Sequence, residues 1–160
     1  MSPQDVSLTS DSADETRAIA AALVSRLPVS LVVLLLTGLL GSGKTTFVQG
    51  IAKGLGISGV IASPSFLLMK DYFEGSRPMR HIDLYRLSHI DETASLGLVE
   101  NLHEEAVVAI EWADRFDLRI PAPTVKVSFE KGNAEGERRL VFSADTEVIS
   151  SEKLNALCAD

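Results

Sequence analysis

Residues 31–45 read LVVLLLTGLLGSGKT and join an uninterrupted apolar run to a glycine-rich turn. The run from Leu31 to Leu36 has no polar residue to face water, so it predicts a parallel strand that is covered on both faces of a sheet. A segment with helical spacing follows from Lys44 to Leu55, and Gly56 is suited to end it. A buried strand, a glycine turn and a helix in this order indicate an α/β fold.

The turn itself, from Gly38 to Thr45, fits the phosphate-binding pattern G-x-x-x-x-G-K-[ST], known as the P-loop. Glycines let the backbone curl so that successive N–H groups point into one concavity, and the following helix directs the positive end of its dipole at an anion. The lysine of the pattern reaches the β- and γ-phosphates, and its final hydroxyl is a ligand for Mg²⁺. We therefore predict that a nucleotide is bound by Gly38, Gly41, Ser42, Gly43, Lys44, Thr45 and Thr46.

The rest of the chain predicts a P-loop NTPase-like sheet, mixed and mostly parallel, which is flanked by helices and contains β-hairpins. A capping box formed by Ser12 and Glu15 begins a first helix, and Ala106–Ile110 is a second buried strand. Turn-rich inserts separate two pairs of extended runs, which predicts hairpins within 66–85 and 124–142. Further short helices are expected at 91–98 and 152–157.

Length and composition fit a single domain spanning residues 1–160, because a domain usually holds roughly 100–200 residues. Hydrophobic residues make up 46% of the chain and charged residues 23%, which supports a packed core and excludes a disordered protein. We expect residues 1–11 to be disordered and residues 146–160 to form a variable tail. The net charge of −7 argues against broad, charge-driven binding to nucleic acid, because such binding needs Lys and Arg to displace counterions.

Cysteine content and the longest apolar stretch bear on the cellular compartment. Cys158 is the only cysteine, so no intrachain disulfide can form and a cysteine-rich zinc site is excluded. The apolar stretch 27–40 is shorter than the about 20 residues that a spanning helix needs, and it contains Pro28. We therefore expect a cytoplasmic protein that makes no contact with a membrane.

Two acidic residues follow short apolar runs and are candidate partners of the P-loop. Glu111 ends the run that begins at Ala106, and Asp83 lies in the string HIDLYR. A P-loop site needs carboxylates to hold Mg²⁺, and these often end a neighbouring buried strand. The residues alone also allow a solvated charge at Glu111 and a surface or hairpin ion pair at Asp83.

The class of nucleotide can be narrowed by what the sequence lacks. A GTPase needs Asn-Lys-x-Asp to read guanine and Asp-x-x-Gly for its second switch, and neither string is present. A nucleoside kinase usually has an arginine-rich lid, whereas the arginines of this chain are dispersed. ATP is therefore favoured over GTP, and hydrolysis over transfer to a small molecule.

The strings GLLGSGKTTF, ASPSF, HIDLYRL, a short acidic segment with GL, and IEWADRF follow one another from Gly38 to Phe116. In this order they resemble the bacterial TsaE family, the P-loop ATPase of tRNA threonylcarbamoyladenosine biosynthesis, and the resemblance covers roughly residues 15–139. The resemblance implies a compact α/β domain that binds ATP and Mg²⁺ and hydrolyses ATP weakly to ADP and phosphate. The resemblance also implies that the protein acts together with a threonylcarbamoyltransferase subunit and that enzyme's paralogous partner protein. Contact with tRNA would then be only indirect.

The resemblance implies roles for four residues in catalysis. Lys44 and Thr45 match the family's phosphate and metal residues. Asp83 matches the carboxylate of the D-L-Y-R motif, implicated in catalysis or metal binding, and Glu111 matches the metal-linked residue of the E-W motif. The resemblance therefore implies that Thr45, Glu111 and Asp83 hold Mg²⁺.

Two further positions match the family with an alternative left open. Ser65 corresponds to a hydroxyl that the family usually supplies as Thr near the γ-phosphate, and it can equally be a turn hydroxyl after Pro64. Trp112 corresponds to a residue beside the nucleotide, and it can equally be a half-buried core residue. Arg138 and Arg139 are not assigned to the nucleotide.

The sequence departs from the family pattern at Leu39, where the family usually has Asp. A carboxylate there can orient a water or the loop, so we expect the difference to affect the hydrolysis rate more than nucleotide binding. Two other functions remain open for the chain. One is a small-molecule P-loop kinase, and the other is a nucleotide-dependent binding module with vestigial hydrolysis.

Overall fold

The fold is given by a computed structural model that describes residues 4–64, 68–91 and 97–158. These ranges contain seven strands, three α-helices and two short 3₁₀ turns, the last at Ala113–Arg115 and Ala156–Cys158. In chain order the elements are β1 (Gln4–Ser10), α1 (Ala13–Arg26), β2 (Val32–Gly38), α2 (Lys44–Gly54), β3 (Met69–Tyr72), β4 (Met79–Asp83), β5 (Val107–Glu111), β6 (Thr124–Lys131), β7 (Arg138–Ala144) and α3 (Ser151–Asn155).

The strands form one sheet in the order β1-β7-β6-β2-β5-β4-β3. Strand β2 lies between β5 and β6 and is parallel to both, and β4 is parallel to β5. The hairpins β3–β4 and β6–β7 and the pair β1–β7 are antiparallel. Five strands therefore run in one direction and only β3 and β7 in the other, which confirms the predicted mixed, mostly parallel sheet.

The central strands are apolar throughout because both faces of the sheet are covered. Every residue of β5 is buried, and alternate residues of β2 enter two different cores. Val32, Leu34 and Leu36 pack with α1 and α2, whereas Val33 packs on the opposite face with Ile82. The buried run at 31–36 is thus confirmed as an interior strand.

Helices α1 and α2 cross in close contact over the first of these faces. A Cβ built on Gly50 would come within 2.4 Å of the Arg17 carbonyl oxygen, and one on Gly54 within 2.9 Å of the Ala21 Cα. Helix α1 begins as predicted, since the Ser12 hydroxyl accepts from the Glu15 N–H at 3.0 Å. The two glycines let α2 approach α1 at backbone distance, and this packing fixes the direction in which α2 leaves the P-loop.

The expectation that residues 1–11 are disordered is wrong for the part that the structure describes. Gln4–Ser10 forms β1 and pairs residue by residue with β7, from Gln4 opposite Ala144 to Ser10 opposite Arg138. Val6 is buried in the core, and Leu8 packs against it. These apolar residues alternate with polar ones, as in an edge strand with one face in the core and the other exposed to solvent. The segment is therefore ordered despite its polar composition.

Other predicted bounds differ by a few residues. The first hairpin is confirmed with β3 beginning at Met69, and residues 65–67 lie outside the described ranges. The helix expected at 91–98 falls largely on residues 92–96, which also lie outside them. At the end of the chain, α3 precedes the 3₁₀ turn Ala156–Cys158. Of the described helices, none combines the length and apolar character needed to cross a membrane.

Candidate active site

The P-loop links the end of β2 to the start of α2 with three glycines at positive φ. Gly38, Gly41 and Gly43 have φ values of 149°, 74° and 112°. A Cβ on Gly38 would also lie 2.7 Å from Ser42 Oγ and 2.8 Å from the Phe129 carbonyl oxygen. A side chain at Gly38 is therefore excluded by both conformation and space.

Helix α2 presents its first turn to the loop without a side-chain cap. Its N-cap residue is Gly43, which has no side-chain oxygen to accept from the N–H groups of the first turn, and that turn contains no acidic residue. Unpaired N–H groups and the positive end of the helix dipole together favour a bound anion. The start of α2 therefore has the geometry of a phosphate site.

The Lys44 side chain lies inside the loop. The residue is 4% exposed, and Nζ donates to the carbonyl oxygens of Gly38 at 2.6 Å and Leu39 at 2.9 Å. The same Nζ lies 4.0 Å from the centre of the Trp112 ring, within cation–π distance. Burial lowers the pKa of Lys44, and the carboxylates of Glu111, Asp114 and Asp83 act in the opposite direction.

The two candidate carboxylates lie side by side opposite the loop. Asp83 ends β4 and Glu111 ends β5, and the parallel register pairs these two residues directly. Glu111 in turn pairs with Leu36 of β2, two residues before Gly38. Because neighbouring parallel strands end at the same edge of the sheet, both carboxylates and the P-loop meet there.

Glu111 is held by hydrogen bonds at both oxygens. Thr45 Oγ1 donates to Glu111 Oε1 at 2.9 Å, and His81 Nε2 lies 2.5 Å from Glu111 Oε2. Glu111 is 2% exposed and His81 is fully buried. The predicted metal-linked glutamate is therefore joined directly to the predicted metal-linked threonine.

Asp83 is held from two other segments. The Tyr85 backbone N–H donates to Oδ1 at 2.9 Å, and the Ser63 hydroxyl donates to Oδ2. Ser63 belongs to the ASPSF string, whereas the predicted Ser65 lies outside the described residues. The structure thus brings the ASPSF segment to Asp83 through Ser63, and the predicted role of Ser65 near the γ-phosphate stays a prediction.

Trp112 and Tyr85 form an aromatic wall beside Lys44. Their ring centres are 4.9 Å apart, and both side chains line the cleft. Trp112 has a left-handed backbone, with φ 60° and ψ 37°, directly after β5 ends. For a bulky residue this conformation costs roughly 1–3 kcal/mol, and it turns the indole toward Lys44.

Arg138, at the start of β7, closes the cleft from the hairpin side. Its Nε donates to the Ser42 carbonyl oxygen at 3.1 Å, and its Nη2 donates to the Gly41 carbonyl oxygen at 3.3 Å. The neighbouring Arg139 instead contacts Glu130 and Ser7 on the exposed side of the sheet. The structure therefore connects Arg138, but not Arg139, to the P-loop.

The complete cleft has a volume of about 540 Å³, which is within the range of small-molecule sites. Its far wall is the start of α1, with Ser12, Ala13 and Thr16, and Arg86 lies near the aromatic pair. The predicted residues that line the cleft are Gly41, Ser42, Gly43, Lys44, Thr45, Thr46, Asp83, Glu111 and Trp112.

The oxygen ligands offered by the cleft fit Mg²⁺ better than a transition metal. In the described part of the chain, no three His, Cys, Asp or Glu side chains are arranged as a metal cage. Mg²⁺ does not need one, since it keeps several waters and binds through one or two carboxylates together with substrate phosphates. Thr45, Glu111 and Asp83 are the residues that would supply such an incomplete oxygen shell.

Sequence reasoning missed three contacts of the site: His81 on Glu111, Ser63 on Asp83, and Arg138 on the P-loop. His81 lies two residues before Asp83, so strand alternation could have put both on one face. Arg138 is 96 residues from Ser42 in the chain, and no local sequence pattern predicts a contact over this distance.

Comparison with known proteins gives consistent matches. The family model for "Threonylcarbamoyl adenosine biosynthesis protein TsaE" matches residues 10–140. A tRNA threonylcarbamoyladenosine biosynthesis protein TsaE from Bacillus subtilis is 38% identical over 82% of this chain and 80% of that protein. The protein of the same name from Nostoc is 43% identical over 67% of each chain. A crystal structure of Bacillus subtilis YdiB superimposes with a TM-score of 0.73 at 29% identity, covering 99% of this chain and 95% of that one. Because the family model matches most of the chain and the Bacillus subtilis relative is similar over most of its own length, the chain belongs to the TsaE family.

Proposed function

We propose that this protein is the ATP-binding and ATP-hydrolysing subunit required to form the threonylcarbamoyl group on N6 of the adenosine next to the tRNA anticodon. The observation that carries the proposal is the convergence of the P-loop, Asp83 and Glu111 in one cleft of a TsaE-family chain. The relatives are named for tRNA threonylcarbamoyladenosine biosynthesis.

The cleft supports ATP hydrolysis by positioning and by electrostatics. The Lys44 ammonium and the N–H groups at the start of α2 bind the β- and γ-phosphates and stabilise the charge that develops as the terminal P–O bond breaks. Thr45, Glu111 and Asp83 would hold Mg²⁺, which neutralises phosphate charge when bound. Water attacks the γ-phosphate and yields ADP and phosphate.

The same geometry supports a slow reaction in the isolated chain. Asp83 and Glu111 are both engaged by protein donors, and Leu39 offers no carboxylate to orient the attacking water. We propose that turnover becomes useful within a complex that contains the threonylcarbamoyltransferase subunit and its paralogous partner protein. The net charge of −7 supports indirect engagement of tRNA through these proteins, and a cytoplasmic location is part of the same proposal.

The direct test of nucleotide binding replaces Lys44. Lys44→Ala removes a charge-assisted contact worth about 1.5–3 kcal/mol, so ATP affinity in Mg²⁺ should fall by roughly 10–100-fold. Lys53→Ala is the matched control, since Lys53 is exposed in the last turn of the same helix. Titration calorimetry measures both variants. Unchanged ATP affinity in Lys44→Ala would contradict the proposed phosphate site.

A reconstitution test separates the proposed function from its alternatives. Partners captured with and without ATP are identified, and ATP turnover is measured with the captured transferase pair. Stimulation by the pair is expected. Turnover that needs a metabolite and yields its phosphate ester would instead indicate a kinase, and no turnover with the pair present would indicate a nucleotide-dependent binding module.

A further inference from the structure

His81 is a buried polar residue that directly contacts the site. It lies in β4, two residues before Asp83, and has no solvent exposure. Its Nε2 is 2.5 Å from Glu111 Oε2. Its Nδ1 is buried and makes no hydrogen bond to any residue that the structure describes.

The hydrogen-bond chemistry fixes which nitrogen carries the proton. An ionised carboxylate only accepts, so Nε2 is the donor to an ionised Glu111. In the neutral imidazole ring Nδ1 then bears the lone pair. The contact with Glu111 therefore selects the Nε2–H tautomer.

The position of Glu111 depends on this contact. Its Oε1 accepts from the Thr45 hydroxyl, and its Oε2 accepts from His81. The carboxylate thus bridges the start of α2 and the interior of β4. With the histidine removed, Oε2 would lose its only donor among the described residues, and the side chain could rotate away from Thr45.

We propose that His81 is a positioning residue that sets the orientation of Glu111, so that the carboxylate faces Thr45 and the metal side of the P-loop. This inference rests on the proposed function, because it gives Glu111 a role toward Mg²⁺. An apolar residue would fill the same space without burying an unpaired nitrogen. Packing alone therefore does not account for a histidine here.

The first test measures how much Mg²⁺ improves the affinity for ATP. Binding is titrated in excess Mg²⁺ and in EDTA for the wild type, His81→Met and His81→Gln. Met is apolar and flexible enough to fill the site, whereas Gln keeps an N–H donor. Loss of such a second contact typically weakens metal affinity by about 10–100-fold, so the Mg²⁺ effect should shrink by this factor in His81→Met and be largely kept in His81→Gln. Affinity in EDTA should be unchanged.

Met79→Leu is the matched packing control, since Met79 lies two residues earlier on the same strand and is buried. It should keep the full Mg²⁺ effect. A wild-type Mg²⁺ effect in His81→Met, or an equal loss in His81→Met, His81→Gln and Met79→Leu, would overturn the role of His81. If wild-type affinity did not respond to Mg²⁺, the metal part of the proposed function would fail instead.

The second test does not depend on metal, nucleotide or variant folding. Two-bond ¹H–¹⁵N correlations of the imidazole rings in the ¹⁵N-labelled wild type report which nitrogen of His81 is protonated. The Nε2–H tautomer is expected. A signal from the Nδ1–H tautomer would overturn the proposal, because Nε2 could then not donate to the Glu111 carboxylate.

If His81→Met does not fold, His81→Asn replaces it in the first test, because the amide of the shorter Asn side chain does not reach Glu111.

Discussion

Leu39 is the residue at which this P-loop departs most clearly from the family pattern. Its side chain is 82% exposed on the P-loop, and its backbone carbonyl oxygen accepts a hydrogen bond from Lys44 Nζ. The backbone of the loop is therefore intact while the side chain contributes no charge to it. This combination predicts normal nucleotide binding with slow hydrolysis.

We predict that Leu39→Asp raises kcat for ATP hydrolysis by roughly tenfold, below the 10²–10⁴-fold of a fully positioned general base. Stability should change by less than about 0.5 kcal/mol, because the side chain is exposed. Leu39→Asn is the control, since it has the same shape without the carboxylate. Steady-state phosphate release measures both. Equal rates in the two variants would contradict the proposal that Leu39 slows ATP turnover.

At the scale of elements, the β6–β7 hairpin and the P-loop are joined through Arg138. The guanidinium donates to two consecutive carbonyl oxygens of the loop, at Gly41 and Ser42. Both flanking glycines, Gly41 and Gly43, have positive φ, so this part of the loop has little stiffness of its own. The β6–β7 hairpin therefore stabilises the conformation of the P-loop through Arg138.

We predict that Arg138→Ala weakens ATP binding by roughly five- to tenfold, equivalent to about 1 kcal/mol for partly exposed charge-assisted hydrogen bonds. Arg139→Ala is the matched control, because the adjacent arginine forms an exposed ion pair with Glu130 and a hydrogen bond to Ser7. Its ATP affinity should equal that of the wild type. Equal losses in the two variants would mean that the hairpin acts through general charge and not through the loop.

The crossing of α1 and α2 depends on the absence of a side chain at Gly50. A methyl group would meet the Arg17 carbonyl oxygen at 2.4 Å and the Ala20 Cβ at 2.7 Å, so the helices would have to separate. We predict that Gly50→Ala lowers the free energy of unfolding by about 1–3 kcal/mol, although alanine favours helix more than glycine does. Gly97→Ala is the control, because a Cβ at Gly97 would meet no atom of the described residues within 4 Å. Chemical denaturation of both measures the difference, and a stabilised Gly50→Ala protein would contradict the packing described.

At the scale of the whole molecule, the sequence predicted best what depends on strict local rules. The run 31–36, the P-loop and α2 each have a pattern that few other structures satisfy. Asp83 and Glu111 were identified as candidate partners of the P-loop because each ends a short strand, whereas their pairing at one edge of the sheet is seen only in the structure. Local rules therefore predicted the class of sheet and the candidate residues, but not how these residues meet.

What could not be predicted depends on distance along the chain or on weak patterns. β1 was missed because its alternation rests on Val6 and Leu8 among polar residues, and its partner strand is more than 120 residues away. The contacts of Arg138 with the P-loop and of His81 with Glu111 require the complete sheet. Pairwise contacts of this kind leave no periodic signal in a single sequence.

The central claim is that nucleotide use by this cleft serves the modification of tRNA. Its most direct test measures threonylcarbamoyladenosine in total tRNA by mass spectrometry, in a strain that lacks the protein and in the same strain supplied with the wild type or with Lys44→Ala. We expect the modified nucleoside to be lost in the deletion strain, restored by the wild type and not restored by Lys44→Ala. Normal levels of the nucleoside without the protein would contradict the account.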